Sequence, residues 1–250
     1  MTPTTWPVAR TPWPEPATIP SNRVFDPAEL DRLPVAADDF LRHALAPAAS
    51  LPDRIRLRMH GQIKLGLWLP FTAEQVIDVD QGFWWEASIA GGAITGYDTL
   101  HHDEARTRFR AGPATIVDAA GPDVVRSAIG RMVGEFAAWM PGQLLPSCRV
   151  HWSQAPDGRA LAFAPVAGTY HRLTLTLGPD GALRSLSYPR WGRTQHGFDW
   201  IPFGLDAFDH ARFDGIAVVT RGRAGWWYGT SRWPRGEFFR FTVDQLTTER

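Results

Sequence analysis

The sequence has one cysteine and no long apolar run. Cys148 stands alone among 250 residues, which excludes an internal disulfide and a zinc site built from several cysteines. No run of about 18 apolar residues occurs, so no transmembrane helix is predicted. The first residues, MTPTTWPVARTPWP, contain neither the apolar segment nor the cleavage site of a secretory signal. These absences predict a cytoplasmic protein that does not insert into a membrane.

An excess of charge of one sign is also lacking, because 26 basic and 26 acidic side chains cancel. A surface that binds nucleic acid normally carries an excess of lysine and arginine, so no nucleic-acid partner is expected. No phosphate-binding loop, dinucleotide fingerprint, G-x-S-x-G or H-E-x-x-H motif occurs, and the expectation is no cofactor and no metal. The sequence gives no indication of the oligomeric state.

Aromatic residues are abundant, with 12 tryptophans and 14 phenylalanines. Rings of this size supply rigid walls either for a core or for a pocket. We expect most of these rings to pack in an ordinary core. For a minority, the more specific hypothesis is that they line a cavity.

The pattern along the chain predicts an α+β fold in a single domain over residues 26–250. Six prolines precede residue 25, which indicates an extended arm over 1–25. Period-two alternation and turn signals predict antiparallel strands. A sheet of ten or more strands seldom stays flat, so we expect a curved half-barrel around one central helix. The predicted parts are a helical lead-in at 26–46, strands at 54–111, the central helix at 122–140 and strands at 149–246. The last group includes separate strands at 182–188, 215–221 and 224–228.

Three details of these elements can be checked directly. Gly130 and Gly134 share a helix face, which predicts close contact with a neighbouring strand or helix. Arg131 and Glu135 are spaced to form an ion pair on the exposed side of the helix. In the first strand, alternation predicts that Ile55, Leu57, Met59 and Leu65 are buried while Arg54, Arg56 and Arg58 are exposed.

Several motifs resemble a bacterial family of unknown function over about residues 36–246. The resemblance implies no catalytic residue, because none is established for that family. His101-His102-Asp103-Glu104 departs from the family pattern, so a role for this cluster would be peculiar to this protein. The motifs are RMHGQIKLGLWLPFTAEQV at 58–76, SAIGRM at 127–132, PRWG at 189–192, PFG at 202–204 and GWWYGTSRWPRGEFFR at 225–240.

The order of strands around one helix also resembles, in architecture only, the half-barrels of LolA-type and LppX-type lipid carriers. That resemblance implies an open sheet curved around an apolar cavity, with the helix as a lid or plug. Those carriers are exported, and no signal is predicted here, which argues against periplasmic lipoprotein transport.

Ionisable side chains near one predicted hairpin are the main candidates for acid–base chemistry. A turn at Gly91-Gly92 would place Glu86 opposite Tyr97, where both could converge on a cavity. Histidine titrates near neutral pH and is suited to proton transfer. Solvated strand ends and a hydrogen-bonded core histidine are the alternative interpretations. The candidate catalytic residues are Glu86, Tyr97, Asp98, His101 and His171.

Aromatic and histidine side chains on the strands and loops are the candidates for ligand contact. They are Trp84, Trp85, Tyr170, Trp191, His196 and Trp227.

Two functions remain open at this point. The first is binding of an apolar or aromatic small molecule, or an acyl chain, between the curved sheet and the central helix. The alternative is a cofactor-independent enzyme, such as a cyclase, isomerase or lyase, that acts on a hydrophobic molecule in the same cavity.

Overall fold

The computed structural model describes residues 23–249, so the arm predicted at 1–25 lies almost entirely outside the described residues. Within that range thirteen strands form one antiparallel sheet. The strands are β1 (Arg54–Leu65), β2 (Leu67–Asp78), β3 (Gly82–Ile89), β4 (Ile94–His101), β5 (Glu104–Ala111), β6 (Ala114–Ala120), β7 (His151–Gln154), β8 (Ala160–Val166), β9 (Thr169–Leu177), β10 (Leu183–Thr194), β11 (Gly197–Phe213), β12 (Ile216–Trp226) and β13 (Glu237–Glu249).

The sheet consists of two meanders that meet at the first and last strands. Strands β1 to β6 follow one another in space, and so do β7 to β13. The junction is the pairing of β1 with β13, in which Arg54 lies opposite Glu249. Strands β6 and β7 are consequently the two outer edges of the sheet, and the sheet is not closed.

Helix α2 (Pro122–Trp139) connects these two edges, so the chain must cross one face of the sheet to pass from β6 to β7. The helix contacts β3 to β6 on one side and β8, β9, β10 and β12 on the other. It is buried almost continuously from Ala128 to Trp139. The large antiparallel sheet is curved, as the alternation and the strand count predict, and strands of both of its halves contact α2.

Both glycines of α2 touch strand β10, as their spacing predicts. A Cβ atom at Gly130 would lie 3.1 Å from Cγ of Arg190, and one at Gly134 would overlap the Tyr188 hydroxyl. The close approach of helix to strand compensates for the roughly 1 kcal/mol that a glycine costs in a helix interior.

The helical lead-in comprises a short 3₁₀ segment, Pro27–Leu30, and α1 (Val35–Ala44). Asp26 caps the first segment, since its carboxylate accepts a hydrogen bond from the Ala28 amide at 2.9 Å. Phe40 of α1 packs against Trp152 of β7 with ring centroids 6.1 Å apart. A further short helix, α3 (Trp233–Gly236), precedes β13. Among residues 23–249 no helix has both the length and the apolar character needed to cross a bilayer.

Four expectations about the strands were wrong. Strand β6 was not predicted because it lies at an edge with nearly every residue exposed, so its sequence does not alternate. Segments 215–221 and 224–228, predicted as two strands, form the single strand β12. Arg54 is buried, with its Nε donating to Glu249 Oε2 at 2.7 Å and its guanidinium 3.4 Å from Asp78. Leu65, expected to be buried, is 40 % exposed at the end of β1.

Candidate functional site

A cavity of about 220 Å³ lies between α2 and the sheet, and we call it the inner cavity. Residues of β1, β3, β4, β5 and β10 to β13 form its walls together with the C-terminal half of α2. Eight of these residues are aromatic: Trp85, Phe109, Trp139, Tyr188, Phe203, Phe238, Phe239 and Phe241.

A buried polar network crosses the helix side of the inner cavity. Arg131 donates from Nε to Glu135 at 2.6 Å and from Nη1 to Asp98 at 2.7 Å. Gln75 donates to the second oxygen of Glu135 at 2.7 Å and accepts from Arg131 at 3.2 Å. The Thr107 hydroxyl donates to the remaining Asp98 oxygen at 2.7 Å. Every carboxylate oxygen in this network is therefore hydrogen-bonded within the protein.

Burial governs the protonation of this network. Desolvation raises the pKa of Glu135, although Arg131 and Gln75 oppose the shift. Desolvation disfavours the charge of Arg131 as well, but the attraction of Glu135 and Asp98 outweighs it and raises the pKa of Arg131. The predicted Arg131–Glu135 pair thus exists, but the expectation that it is exposed was wrong.

The inner cavity is also lined by a second buried cation, Arg190. Its guanidinium carbon lies 4.6 Å from the Phe203 ring centroid and 4.9 Å from that of Trp226, and its Nε donates to the Ser127 carbonyl at 3.1 Å. Burial lowers the pKa of Arg190, while Asp98 and other nearby acidic groups oppose the shift. Two cations and two carboxylates therefore balance inside the inner cavity.

A wider cavity of about 620 Å³, the outer cavity, adjoins the inner one. The two share the lining residues Ile63, Thr107, Phe109 and Phe238. The remaining wall of the outer cavity comes from β1, the β1–β2 turn, β6, β12 and the segment that contains α3: Lys64, Leu65, Gly66, Val117, Trp226, Trp227, Arg232, Arg235 and Gly236.

A third cavity of about 840 Å³, the side cavity, lies at the N-terminal end of α2. His101 of β4 and His171 of β9 both line it, although they are far apart in the sequence. His171 is 8 % exposed, its Nε2 has no hydrogen-bond partner among residues 23–249, and desolvation lowers its pKa. Within that same range no group of three potential metal ligands occurs.

The structure divides the predicted site residues among separate places. Trp85 and Asp98 line the inner cavity, His101 and His171 line the side cavity, and Trp227 lines the outer cavity. His171 is buried on the same strand face as its apolar neighbours, as alternation predicts.

The expectation that Glu86 and Tyr97 face the cavity was wrong, although their pairing is confirmed. Glu86 lies opposite Tyr97 across β3 and β4, and Trp85 lies opposite Asp98. Successive side chains of a strand point to opposite faces, so Trp84, Glu86 and Tyr97 lie on the face away from Trp85. Trp84 and Tyr97 stack there with centroids 5.1 Å apart.

The other three aromatic or histidine candidates line none of the three cavities. Tyr170 is 55 % exposed, because alternation turns it away from its buried neighbour His171. Trp191 instead donates from its indole nitrogen to Asp123 at 2.8 Å, beside the first turn of α2. His196 lies exposed in the turn between β10 and β11.

The sequence did not predict that Glu135 and Arg190 line a cavity. Arg190 follows Leu186 and Tyr188 at intervals of two on β10, and all three are buried. An arginine that continues an apolar alternation was the signal that could have revealed it.

Comparison with known proteins defines the class of this protein. Residues 23–238 match the family of unknown function DUF6544, and the chain belongs to that family. No curated protein matches the sequence.

Solved structures similar to this chain include a LolA superfamily protein from Nitrosomonas europaea. Its identity is 9 % and its TM-score is 0.46, and the match covers 87 % of this chain and 95 % of that chain. A DUF1329 family protein from Desulfovibrio piger has 11 % identity and a TM-score of 0.43, and the match covers 86 % of this chain and 92 % of that chain. A third similar structure is a domain from Vibrio parahaemolyticus described as an outer membrane lipoprotein-sorting protein. Its identity is 6 % and its TM-score is 0.43, and the match covers 78 % of this chain and 85 % of that chain.

Proposed function

We propose that this protein binds an apolar or aromatic small molecule, or an acyl chain, in the inner cavity between the curved sheet and helix α2. The observation that carries the proposal is the aromatic lining of that cavity, which includes eight rings. Binding sites for small molecules are mostly apolar clefts with a few fixed polar groups, and the inner cavity has this composition.

The carboxylates of the inner cavity support binding because their oxygens are already hydrogen-bonded within the protein. Arg131 occupies the carboxylates of Asp98 and Glu135, so an apolar ligand would leave no carboxylate oxygen of this network without a partner. The ligand gains free energy from the burial of its apolar surface without breaking that network.

The size of the cavities indicates how such a ligand would lie. Pockets for small molecules usually have about 300–1,000 Å³, and the inner cavity at about 220 Å³ is smaller. The adjoining outer cavity of about 620 Å³ supplies the remaining space. We therefore infer that the ligand extends from the inner into the outer cavity.

The test compares two substitutions on helix α2. Ala138 lines the inner cavity and Ile129 lines the side cavity, so Ala138→Phe fills the first and Ile129→Trp fills the second. Binding of the neutral dye Nile red is expected to weaken at least about tenfold in Ala138→Phe and to stay unchanged in Ile129→Trp.

Folding is checked for both variants by circular dichroism. Ala224→Leu narrows the same cavity from strand β12 and serves if Ala138→Phe does not fold. A folded inner-cavity variant that binds Nile red as tightly as the native chain would contradict the proposal.

A second candidate function, acid–base catalysis without a cofactor, is favoured by the side cavity. His171 is buried there with an Nε2 that has no hydrogen-bond partner among the described residues, and His101 lines the same cavity. A neutral imidazole in such a place can accept a proton. The test is turnover of a mixture of hydrophobic metabolites, followed by NMR. Turnover that is lost in both His101→Gln and His171→Gln would support it, and unchanged turnover would contradict it.

A further inference from the structure

The outer cavity differs from the inner one in its charge. Three cationic residues line it, Lys64, Arg232 and Arg235, and no aspartate or glutamate does. None of the three forms an ion pair with a carboxylate of residues 23–249. Many other arginines of the chain are paired with a carboxylate, so this cluster is distinctive.

The cations come from two separate parts of the chain, the end of β1 and the segment that contains α3. Lys64 is near the end of β1, and its Nζ lies 5.7 Å from the ring centroid of Trp68. The guanidinium carbon of Arg232 lies 3.7 Å from the ring centroid of Trp227, which fixes its direction. Arg235 lies in α3, and Arg232 is the residue immediately before that helix.

We propose that the ligand is an amphiphile whose apolar part occupies the inner cavity and whose anionic end, a carboxylate or similar group, binds among Lys64, Arg232 and Arg235. This inference rests on the proposed function, because it assigns the polarity and direction of a molecule held at that same site.

The balance of charge favours the outer cavity over the inner one for the anion. Inside, Arg131 and Arg190 are balanced by Asp98 and Glu135, so an added anion would meet two carboxylates as well as two cations. In the outer cavity it meets cations alone. An anion there also stays close to water, which avoids most of the free-energy cost of burying a charge.

The experiment measures the dissociation constants of two probes with the same apolar tail, decanoate and decanol. The quantity of interest is the ratio of the decanol constant to the decanoate constant, because the tail contributes equally to both. In a triple variant, Lys64→Gln, Arg232→Gln and Arg235→Gln, this ratio is expected to fall about tenfold while decanol binding is unchanged. In the native chain the ratio is expected to fall with added salt, since exposed charges are screened.

A matched triple variant controls for the change in net charge. Arg32→Gln, Arg172→Gln and Arg193→Gln remove three exposed cations that line none of the three cavities, and this variant should keep the native ratio. Arg190→Gln tests whether the anion binds inside the inner cavity instead.

The possible outcomes separate the two proposals. If the ratio is the same in the native chain and both triple variants, the anionic site is overturned while binding of an apolar molecule stands. If Arg190→Gln lowers the ratio and the outer-cavity variant does not, the placement of the anion is overturned. If neither probe binds the native chain, both proposals fail.

Discussion

The Tyr188 hydroxyl lies where a Cβ atom of residue 134 would stand, so strand β10 touches the backbone of α2 at Gly134. Gly134→Ala is expected to lower the free energy of unfolding by about 1–3 kcal/mol, because overpacking outweighs the better helix propensity of alanine. Urea denaturation measures the loss, and adding Tyr188→Phe should recover part of it.

Gly130→Ala is the matched control on the same helix. The nearest atom to its new Cβ is Cγ of Arg190 at 3.1 Å, which belongs to a flexible side chain. We expect a change within about 1 kcal/mol in either direction. Equal losses for the two glycines would contradict the contact with Tyr188.

The second prediction concerns the buried polar network. Arg131→Met removes the cation that both Asp98 and Glu135 bind and leaves two buried carboxylates without it. The expected loss in the free energy of unfolding is about 3–5 kcal/mol. Arg159→Met breaks the exposed pair with Asp157 and should be indistinguishable from the native chain in the same urea titration. A small loss for Arg131→Met would show that the network contributes little.

The third prediction is a pH dependence that originates at His171. Burial lowers the pKa of His171 below its ordinary value of 6.5. Between the folded pKa and 6.5 the unfolded chain binds more protons than the folded chain, so the free energy of unfolding decreases as the pH falls through this window. His171→Gln lacks this pH-dependent contribution to the free energy of unfolding. Its urea midpoint should therefore fall less on acidification than that of the native chain.

His196→Gln, at an exposed turn, is the control for His171→Gln. Its urea midpoint should depend on pH as the native midpoint does. A native and a His171→Gln midpoint that fall in parallel would show that His171 does not contribute.

The fourth prediction separates the two faces of strand β3. Trp85 lines the inner cavity and Glu86, the next residue, points to the opposite face. Trp85→Leu should weaken the binding of Nile red because it removes part of the cavity wall, and Glu86→Gln should leave the dissociation constant unchanged. Weaker binding by Glu86→Gln alone would reverse the assignment of the faces.

The sequence predicted the pairing of β3 with β4 correctly but not its orientation. The turn at Gly91-Gly92 determines which residues are opposite one another, and Glu86 does lie opposite Tyr97. Period two shows which side chains share a face, yet both faces of this hairpin carry aromatic residues. Only the path of α2, which crosses from edge strand to edge strand, decides which face becomes the interior.

The burial of Arg131, Glu135 and Arg190 could not be predicted from the sequence for related reasons. The spacing of Arg131 and Glu135 predicts an ion pair, but burial of that pair depends on Gln75 and Asp98, which lie far away in the sequence. Arg190 lies beyond the predicted end of its strand, at residue 188. Pairing with β11 extends β10 to Thr194 and places Arg190 in the sheet.

The pairing of β1 with β13 has a consequence for the biosynthesis of the protein. Arg54 and Glu249 are 195 residues apart, and a side-chain hydrogen bond of 2.7 Å joins them. On the ribosome β1 to β6 emerge first, and the backbone groups along one edge of β1 stay without a strand partner until β13 has been made. Such an edge is a template for association with other chains. Nascent chains that end before β13 should therefore aggregate, and completion of the sheet should be a late and slow step because its contacts span most of the sequence.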